Sequence, residues 1–210
     1  WAADTVAQLS TMPNVRLLTR TTAFGYFQQN MVALGERITE HQALPDASQP
    51  RERLWQVRAK KVVIATGAIE RHMVFPGNDR PGIMLAGAAR TFLNKFGVAI
   101  GTKVAVYTAA DTAYAAAFDL HDAGVNIPVI IDERHEPCPD VIPEAEARGI
   151  KLLKAHCIQG TKGRLRVNSI RVRPTAGGQE QIFDIDALIT SAGWTPSLHL
   201  YSQSRGKVEW

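Results

Sequence analysis

The spacing of apolar residues changes along the chain, and the change predicts two kinds of architecture. Near the start, Val6, Leu9 and Met12 are three residues apart, which predicts a helix over residues 1–12. The apolar residues then alternate loosely, which predicts strands at 15–18 and 54–58, a β-hairpin within 21–38 and a surface loop at 40–53. A continuous apolar segment follows at 61–66, and it predicts a strand that is buried on both faces.

From residue 83 onwards, segments of helical periodicity alternate with short apolar segments. The pattern predicts helices at 83–96, 111–123 and 142–148, and strands at 103–107, 127–132 and 150–154. Strands that are separated by helices predict a parallel sheet with helices on both faces, and therefore an α/β fold. Further strands are expected at 164–173, 181–184 and 185–191, the last of them buried and followed by the start of a helix.

The composition narrows the class of protein. The chain has 24 Lys and Arg against 20 Asp and Glu, 45% hydrophobic residues and 21% charged residues, so it can bury a core. Its basic residues are scattered, which argues against a nucleic acid as partner. No apolar segment approaches the ~18 residues that a membrane-spanning helix needs, so no membrane partner is expected.

Several kinds of reactive site are also disfavoured. Cys138 and Cys157 do not form a C-x-x-C pair and the six histidines lack ligand spacing, so no metal site is expected. There is no G-x-S-x-G segment. Adjacent Glu70 and Arg71 are interpreted as a surface ion pair rather than as ligand contacts.

Two segments have the order of elements found in nucleotide-binding loops. The strand at 61–66 leads into Thr66-Gly67, where a glycine lets the backbone approach a ligand. Residues 103–113 have the order strand, turn and helix, and Asp132 ends the next strand, where an acid would hold a ribose hydroxyl.

The second of these segments lacks the residues that would bind phosphate. Its turn has Thr108, Ala109 and Ala110 in place of glycines, and their Cβ atoms would keep a pyrophosphate from the helix N-terminus. Asp111 is expected to cap the helix and to repel phosphate. We therefore predict that this unit keeps the architecture of a nucleotide site without its chemistry.

Four longer phrases carry a family resemblance, namely VRLLTRTTAFGYF (15–27), RLWQVRAKKVVIATGAIER (53–71), NDRPGIMLAGAARTFLNKFGV (78–98) and ALITSAGWTPSLHLYSQSRGKVEW (187–210). With them, nearly the whole chain resembles the alpha subunits of heterotetrameric sarcosine oxidases. The order of elements is also similar to that of flavoprotein disulfide reductases, in which the chain leaves a first nucleotide domain at Ala-Thr-Gly, forms a second and returns.

The resemblance implies a partial FAD/NAD-binding-type domain with a nested Rossmann-like parallel-sheet domain. Residues 1–76 would belong to the first dinucleotide-binding domain, 77–185 to the nested domain, and 186–210 to the return. The glycine-rich strand and loop of the family would precede Trp1, and a folate domain would follow Trp210. The chain is therefore expected to be a middle fragment of a longer subunit.

The resemblance also implies the cofactors, the partner subunits and the compartment. In such complexes the alpha subunit holds NAD, and sarcosine is oxidised at an FAD of the beta subunit. An FMN at the alpha–beta boundary passes electrons to oxygen, and tetrahydrofolate accepts the one-carbon unit. The expected partners are the beta subunit, together with smaller subunits, and the expected compartment is the cytoplasm.

No catalytic residue is assigned to the chain. The resemblance implies cofactor-binding positions in three segments: after an adenine-facing strand, at the exit turn, and at the return turn and helix start. These positions are Thr22, Ala23, Thr66, Gly67, Gly193, Trp194 and Leu198. Two alternatives stay open: an NAD(P)H-dependent flavoprotein reductase, and a non-catalytic docking module of a related amine or opine oxidase.

Overall fold

The computed structural model describes residues 1–209, and they form two compact units. Unit 1 is Trp1–Gly67 with the segment that begins at Ser197, and unit 2 is Ala68–Pro196. The helices are α1 (Ala2–Thr11), α2 (Ala86–Phe96), α3 (Thr112–Asp122), α4 (Val141–Ala147) and α5 (His199–Gln203). The strands are β1 (Thr21–Phe27), β2 (Met31–Arg37), β3 (Glu52–Arg58), β4 (Ala68–Glu70), β5 (Ile83–Leu85), β6 (Val104–Thr108), β7 (Ile130–Asp132), β8 (Leu152–Lys154), β9 (His156–Lys162), β10 (Ser169–Pro174), β11 (Gln181–Asp184), β12 (Ala187–Ser191) and β13 (Trp194–Pro196).

Unit 1 is built on an antiparallel sheet in the order β1-β2-β3. The predicted hairpin is confirmed as β1 and β2, joined through a 3₁₀ turn at Gln28–Asn30, and the predicted strand at 54–58 is confirmed as β3. A cross-strand hydrogen bond adds to the pairing of β2 and β3, since the indole Nε1 of Trp55 donates to Glu36 at 2.7 Å.

Two predicted strands of unit 1 are wrong. Residues 15–18 and 61–66 have no strand conformation, and the expected burial at 61–66 is contradicted by Val63, which is 89% exposed. A strand exists through hydrogen bonds to a neighbouring strand, and none of residues 1–209 forms such a ladder with either segment. The apolar sequence alone does not supply that partner.

Unit 2 is built on a five-stranded parallel sheet in the order β5-β12-β6-β7-β8. Alternate residues of β6 enter different cores, since Val104 and Val106 pack with helices α2, α3 and α4 on one face. Ala105 and Tyr107 pack on the other face against β9 and β10. The α/β fold and the parallel sheet are therefore confirmed.

The prediction of helices on both faces of this sheet is wrong, because an antiparallel sheet in the order β11-β10-β9 covers the second face. The predicted strand at 164–173 is correspondingly shorter. It begins at Ser169, and β9 was not predicted. Gly163 makes the turn between them at φ +134°, where a Cβ atom would overlap the carbonyl group of Arg166.

Strands β4 and β13 form a separate antiparallel ribbon in unit 2. The ribbon places Glu70 opposite Trp194. The sequence-based domain boundaries at 76/77 and 185/186 stay a prediction, whereas the compact units divide at 67/68 and 196/197. Within residues 1–209, every helix is too short or too polar to cross a bilayer.

Candidate functional site

In unit 1 the exit turn and the return segment are tied together by hydrogen bonds. The hydroxyl of Thr66 donates to the carbonyl of Ser197 at 2.9 Å, and the amide of Ser197 donates to the carbonyl of Gly67 at 2.9 Å. Thr66 and Ser197 line a cavity of about 230 Å³ that Ala23 also lines. Residues from three distant parts of the sequence therefore meet at one place.

The predicted site residues of unit 1 lie in or beside this cavity. Ala23 and Thr66 line it, and Thr22, Gly67 and Leu198 are each next in sequence to a lining residue. Gly67 has φ +70°, and a Cβ atom there would have no neighbour within 4 Å. Its backbone is thus held in a conformation that favours glycine and is open on the side where a side chain would stand.

Sequence reasoning missed five residues that line the same cavity: Phe24, Ser197, His199, Leu200 and Gln203. Phe24 follows Ala23 on β1, Ser197 lies in the return segment, and the other three belong to the short helix α5. The signal was their proximity in sequence to the predicted positions, because a segment that contacts a ligand through one residue presents its neighbours as well. Gln203 also accepts a hydrogen bond from the amide of Tyr26 at 2.7 Å, which ties α5 to the hairpin.

In unit 2 the amide groups of the loop at 108–110 form hydrogen bonds within the chain. The amide of Ala109 donates to the carbonyl of Ser191 at 3.0 Å, and the amide of Ala110 donates to the hydroxyl of Thr108 at 2.9 Å. In a glycine-rich loop such donors face the phosphates. Here they are occupied by the protein, which supports the prediction that phosphate chemistry is lost.

Asp132 ends strand β7 as predicted, but its carboxylate is also occupied. It is fully buried and accepts hydrogen bonds from the hydroxyl of Tyr114 at 2.9 Å and from the guanidinium of Arg134 at 2.7 and 3.0 Å. The backbone amide of Arg134 donates to it at 2.9 Å. The oxygens that would hold a ribose are therefore engaged within the chain.

The guanidinium of Arg134 also binds the carboxylate of Asp111. Asp111 stands at the N-cap position of α3 but makes no capping hydrogen bond with its side chain, so that expectation is wrong. Its carboxylate accepts instead from Arg134 at 2.7 Å, and this bond lowers the pKa of Asp111. Burial, together with the neighbouring Asp132, raises the pKa of Tyr114. Two carboxylates against one guanidinium leave a net negative charge, which opposes a pyrophosphate.

Gly193 and Trp194 lie in unit 2. Gly193 has φ +88°, and its carbonyl accepts from the amide of Arg71 at 2.9 Å. The indole of Trp194 is 45% exposed. Its Nε1 donates to the hydroxyl of Thr112 at 2.9 Å. Trp194 borders a groove of about 620 Å³ between α2 and α3.

Glu70 also lines this groove. The structure contradicts the interpretation of Glu70 as half of a surface ion pair with Arg71. The carboxylate of Glu70 accepts from the amide of Gly87 at 2.8 Å, in the first turn of α2. Arg71 donates instead to the carbonyl of Ala192 at 3.1 Å. Because the N-cap residue of α2 is Leu85, which has no side-chain acceptor, Glu70 supplies the missing cap.

These geometries define a class of protein: an α/β fold whose parallel-sheet unit has the strand, turn and helix order of a nucleotide-binding unit, with the donors and acceptors of that turn occupied within the chain. Residues 7–210 match the pyridine nucleotide-disulphide oxidoreductase family, and the chain belongs to that family. The predicted FAD/NAD-binding-type fold is thereby confirmed.

Among named proteins, the chain is 42% identical to the alpha chain of sarcosine oxidase from Rhizobium meliloti (strain 1021), over the whole chain and 21% of that protein. It is 25% identical to an opine oxidase subunit from Agrobacterium tumefaciens (strain Ach5), over the whole chain and 44% of that protein. The crystal structure of L-proline dehydrogenase from P. horikoshii has a TM-score of 0.58 and 25% identity, over 99% of this chain and 34% of that one.

These comparisons confirm the resemblance to sarcosine oxidase alpha subunits. The chain spans about a fifth of the length of the sarcosine oxidase relative. A site that holds a whole small ligand has a volume of roughly 300–1,000 Å³, so the unit 1 cavity of about 230 Å³ fits only part of a dinucleotide. Its polar lining residues, among them Thr66, Ser197 and Gln203, fit such a part.

Proposed function

We propose that the chain is a middle portion of the alpha subunit of a sarcosine oxidase-type complex and contributes part of an NAD site. The observation that carries the proposal is the unit 1 cavity, where Ala23, Thr66 and Ser197 converge from distant segments. The relatedness to sarcosine oxidase alpha subunits over the whole chain supports the same assignment.

In this proposal the chain binds and supports but does not carry out the oxidation. Backbone and hydroxyl groups at Thr22, Ala23, Thr66, Gly67 and Leu198 of unit 1 would contact the nucleotide. In unit 2, Gly193 and Trp194 keep the cofactor-binding role that the resemblance implies. The amine would be oxidised at an FAD of a beta subunit, which supplies the two-electron acceptor.

The rest of the assembly belongs to the same proposal. An FMN would lie at the alpha–beta boundary, tetrahydrofolate would accept the one-carbon unit, and smaller subunits would complete a heterotetramer in the cytoplasm. For this chain the role that follows is a scaffold between such partners.

The experiment that tests the NAD assignment measures the nucleotide held by the assembled complex. An alpha subunit with Ala23→Phe would fill the cavity with a ring, whereas Ala3→Phe adds the same ring at an exposed position of helix α1. After denaturation, the released NAD is quantified by chromatography. We expect the NAD content to fall at least tenfold with Ala23→Phe and to stay unchanged with Ala3→Phe. Full NAD content in the Ala23→Phe complex would refute the assignment.

An NAD(P)H-dependent flavoprotein reductase is a second candidate, favoured by the family to which the chain belongs. The occupied donors at Ala109 and Ala110 argue against it, because a reductase needs the nested unit to bind its nucleotide. Anaerobic mixing of the complex with NADH distinguishes the reductase from the proposed NAD-holding subunit. We expect no flavin bleaching, and rapid bleaching would favour the reductase.

The opine oxidase relative favours a third candidate, a non-catalytic docking module of a related oxidase. Substrate-dependent oxygen consumption distinguishes the complexes. We expect sarcosine to support turnover and an opine not to do so.

A further inference from the structure

Unit 1 contains a second concavity that the proposed function does not use. It lies at the turn of the β1–β2 hairpin and has a volume of about 550 Å³. Its lining includes the turn residues Gln28 and Gln29, together with Arg58 at the end of β3 and Arg205 just after α5. We call this concavity the hairpin pocket.

The fold brings the two arginines to the same place by separate routes. The register of β2 and β3 pairs Arg58 with Met31, the first residue after the turn. The amide of Tyr26 donates to the side chain of Gln203 at 2.7 Å, which holds the C-terminal end of α5 against the hairpin. Arg205 comes two residues later.

The pocket has a charge that nothing in the described chain neutralises. Its lining contains no Asp or Glu. Among the ion pairs within residues 1–209, none includes Arg58 or Arg205. Tyr26 also lines the pocket, but its hydroxyl donates to Asn30. The other polar side chains of the lining are the amides of Gln28, Gln29 and Gln203, which add N–H donors.

The turn that forms the pocket is held in an unusual backbone conformation. Gln29 and Asn30 have φ values of +58° and +53°, and Arg205 has +63°, a region that side chains rarely adopt. Asn30 is fixed there because its amide donates to the carbonyl of Lys60 at 3.2 Å and its oxygen accepts from the hydroxyl of Tyr26 at 2.7 Å. Strained residues that the surroundings hold in place are concentrated at binding sites.

We propose that the hairpin pocket binds a phosphate monoester. Two unneutralised guanidinium groups match the charge of about −2 that a phosphate monoester carries near neutral pH. A phosphate also offers three terminal oxygens to the guanidinium and amide donors, whereas a carboxylate offers two oxygens and one charge. The ring of Phe27, which is 50% exposed at the pocket, would contact the apolar part of the ester.

The test is an NMR titration of the ¹⁵N-labelled chain with phenyl phosphate, followed through the arginine side-chain and glutamine amide signals. The variants are Arg58→Gln and Arg205→Gln. Arg20→Gln is the matched control, because Arg20 is also an exposed arginine of unit 1 with a positive φ, +52°, but lies outside the pocket. All three positions are exposed, and the backbone spectrum of each variant verifies its fold.

We expect one saturable set of shifts at the hairpin pocket. Each pocket variant should weaken the Kd about tenfold or more, and Arg20→Gln less than twofold. Benzoate should bind at least tenfold more weakly than phenyl phosphate. The absence of saturable shifts, or an equal loss with Arg20→Gln, would overturn the site. Benzoate binding as tight as that of phenyl phosphate would overturn the assignment of phosphate.

Discussion

Arg134→Ala tests whether the nested unit is closed by its own side chains. The substitution leaves the carboxylate of Asp132, which is fully buried, with the hydroxyl of Tyr114 and one backbone amide as its remaining partners. Removing one partner of a buried ion pair typically costs about 3–5 kcal/mol.

The cost should be smaller here because the side chain of Arg134 is 29% exposed and two donors to Asp132 remain. We expect the free energy of unfolding to fall by about 2 kcal/mol, and a chain of this length should then melt about 4–8 °C lower. Arg164→Ala, at an exposed arginine that forms no ion pair within residues 1–209, should change the stability by less than about 0.5 kcal/mol.

Scanning calorimetry of both variants gives the comparison, and Asp132→Asn completes a double-mutant cycle. With a neutral residue at 132, Arg134→Ala no longer leaves a buried charge without its ion-pair partner. The loss of unfolding free energy caused by Arg134→Ala should therefore be about 1–2 kcal/mol smaller. Equal melting temperatures for Arg134→Ala and Arg164→Ala would mean that Arg134 does not stabilise the buried Asp132 carboxylate, and a cycle without coupling would mean the same.

Three further predictions concern backbone, capping and charge. Gly67→Ala should destabilise unit 1 by about 1 kcal/mol, because φ +70° is strained for alanine even with open space around it, and Gly67→Asn should cost less in the same thermal assay. A Cβ atom on Gly87 would lie 2.8 Å from the Glu70 carboxylate, so Gly87→Ala should destabilise the parent chain. In a Glu70→Ala background it should instead stabilise helix α2 by up to about 1 kcal/mol, and the same sign in both backgrounds would contradict the capping role. Arg148 lowers the pKa of Asp122 to about 2, below its unfolded value; the resulting stabilisation is therefore complete above about pH 4 and lost as the pH falls towards 2. Unfolding midpoints of the parent and Asp122→Asn should converge over that range, and a constant difference would be inconsistent with the ion pair.

Sequence periodicity predicted the elements whose partners are near in the chain. The hairpin of β1 and β2 and the alternation from α2 to β8 depend on local spacing, and both are confirmed. The antiparallel sheet β9–β11 was not predicted as the cover of unit 2, because Ile158, Ile170 and Val172 acquire their inward direction only from the parallel sheet they pack against. Residues 61–66 show the opposite case, in which an apolar sequence without a paired neighbour forms no strand.

The candidate site also has features that the sequence predicted and features that it did not. The absence of glycine at 108–110 was visible in the sequence and indicated that phosphate binding is lost. The occupation of the Asp132 carboxylate was not visible, because it depends on the guanidinium of Arg134, which donates both to Asp132 and to Asp111. A D-x-R sequence whose aspartate ends a strand was the available signal, since the arginine can donate back to the aspartate two residues earlier.

The proposed function requires that NAD contacts the unit 1 cavity and not the closed loop of unit 2. An NMR titration of the ¹⁵N-labelled chain with NAD distinguishes the two sites, because their backbone amides are observed in the same spectrum. We predict concentration-dependent shifts at Ala23, Thr66 and Ser197, with the amides of Ala109 and Ala110 unchanged. Saturable shifts at Ala109 and Ala110, with the cavity residues unmoved, would contradict this requirement.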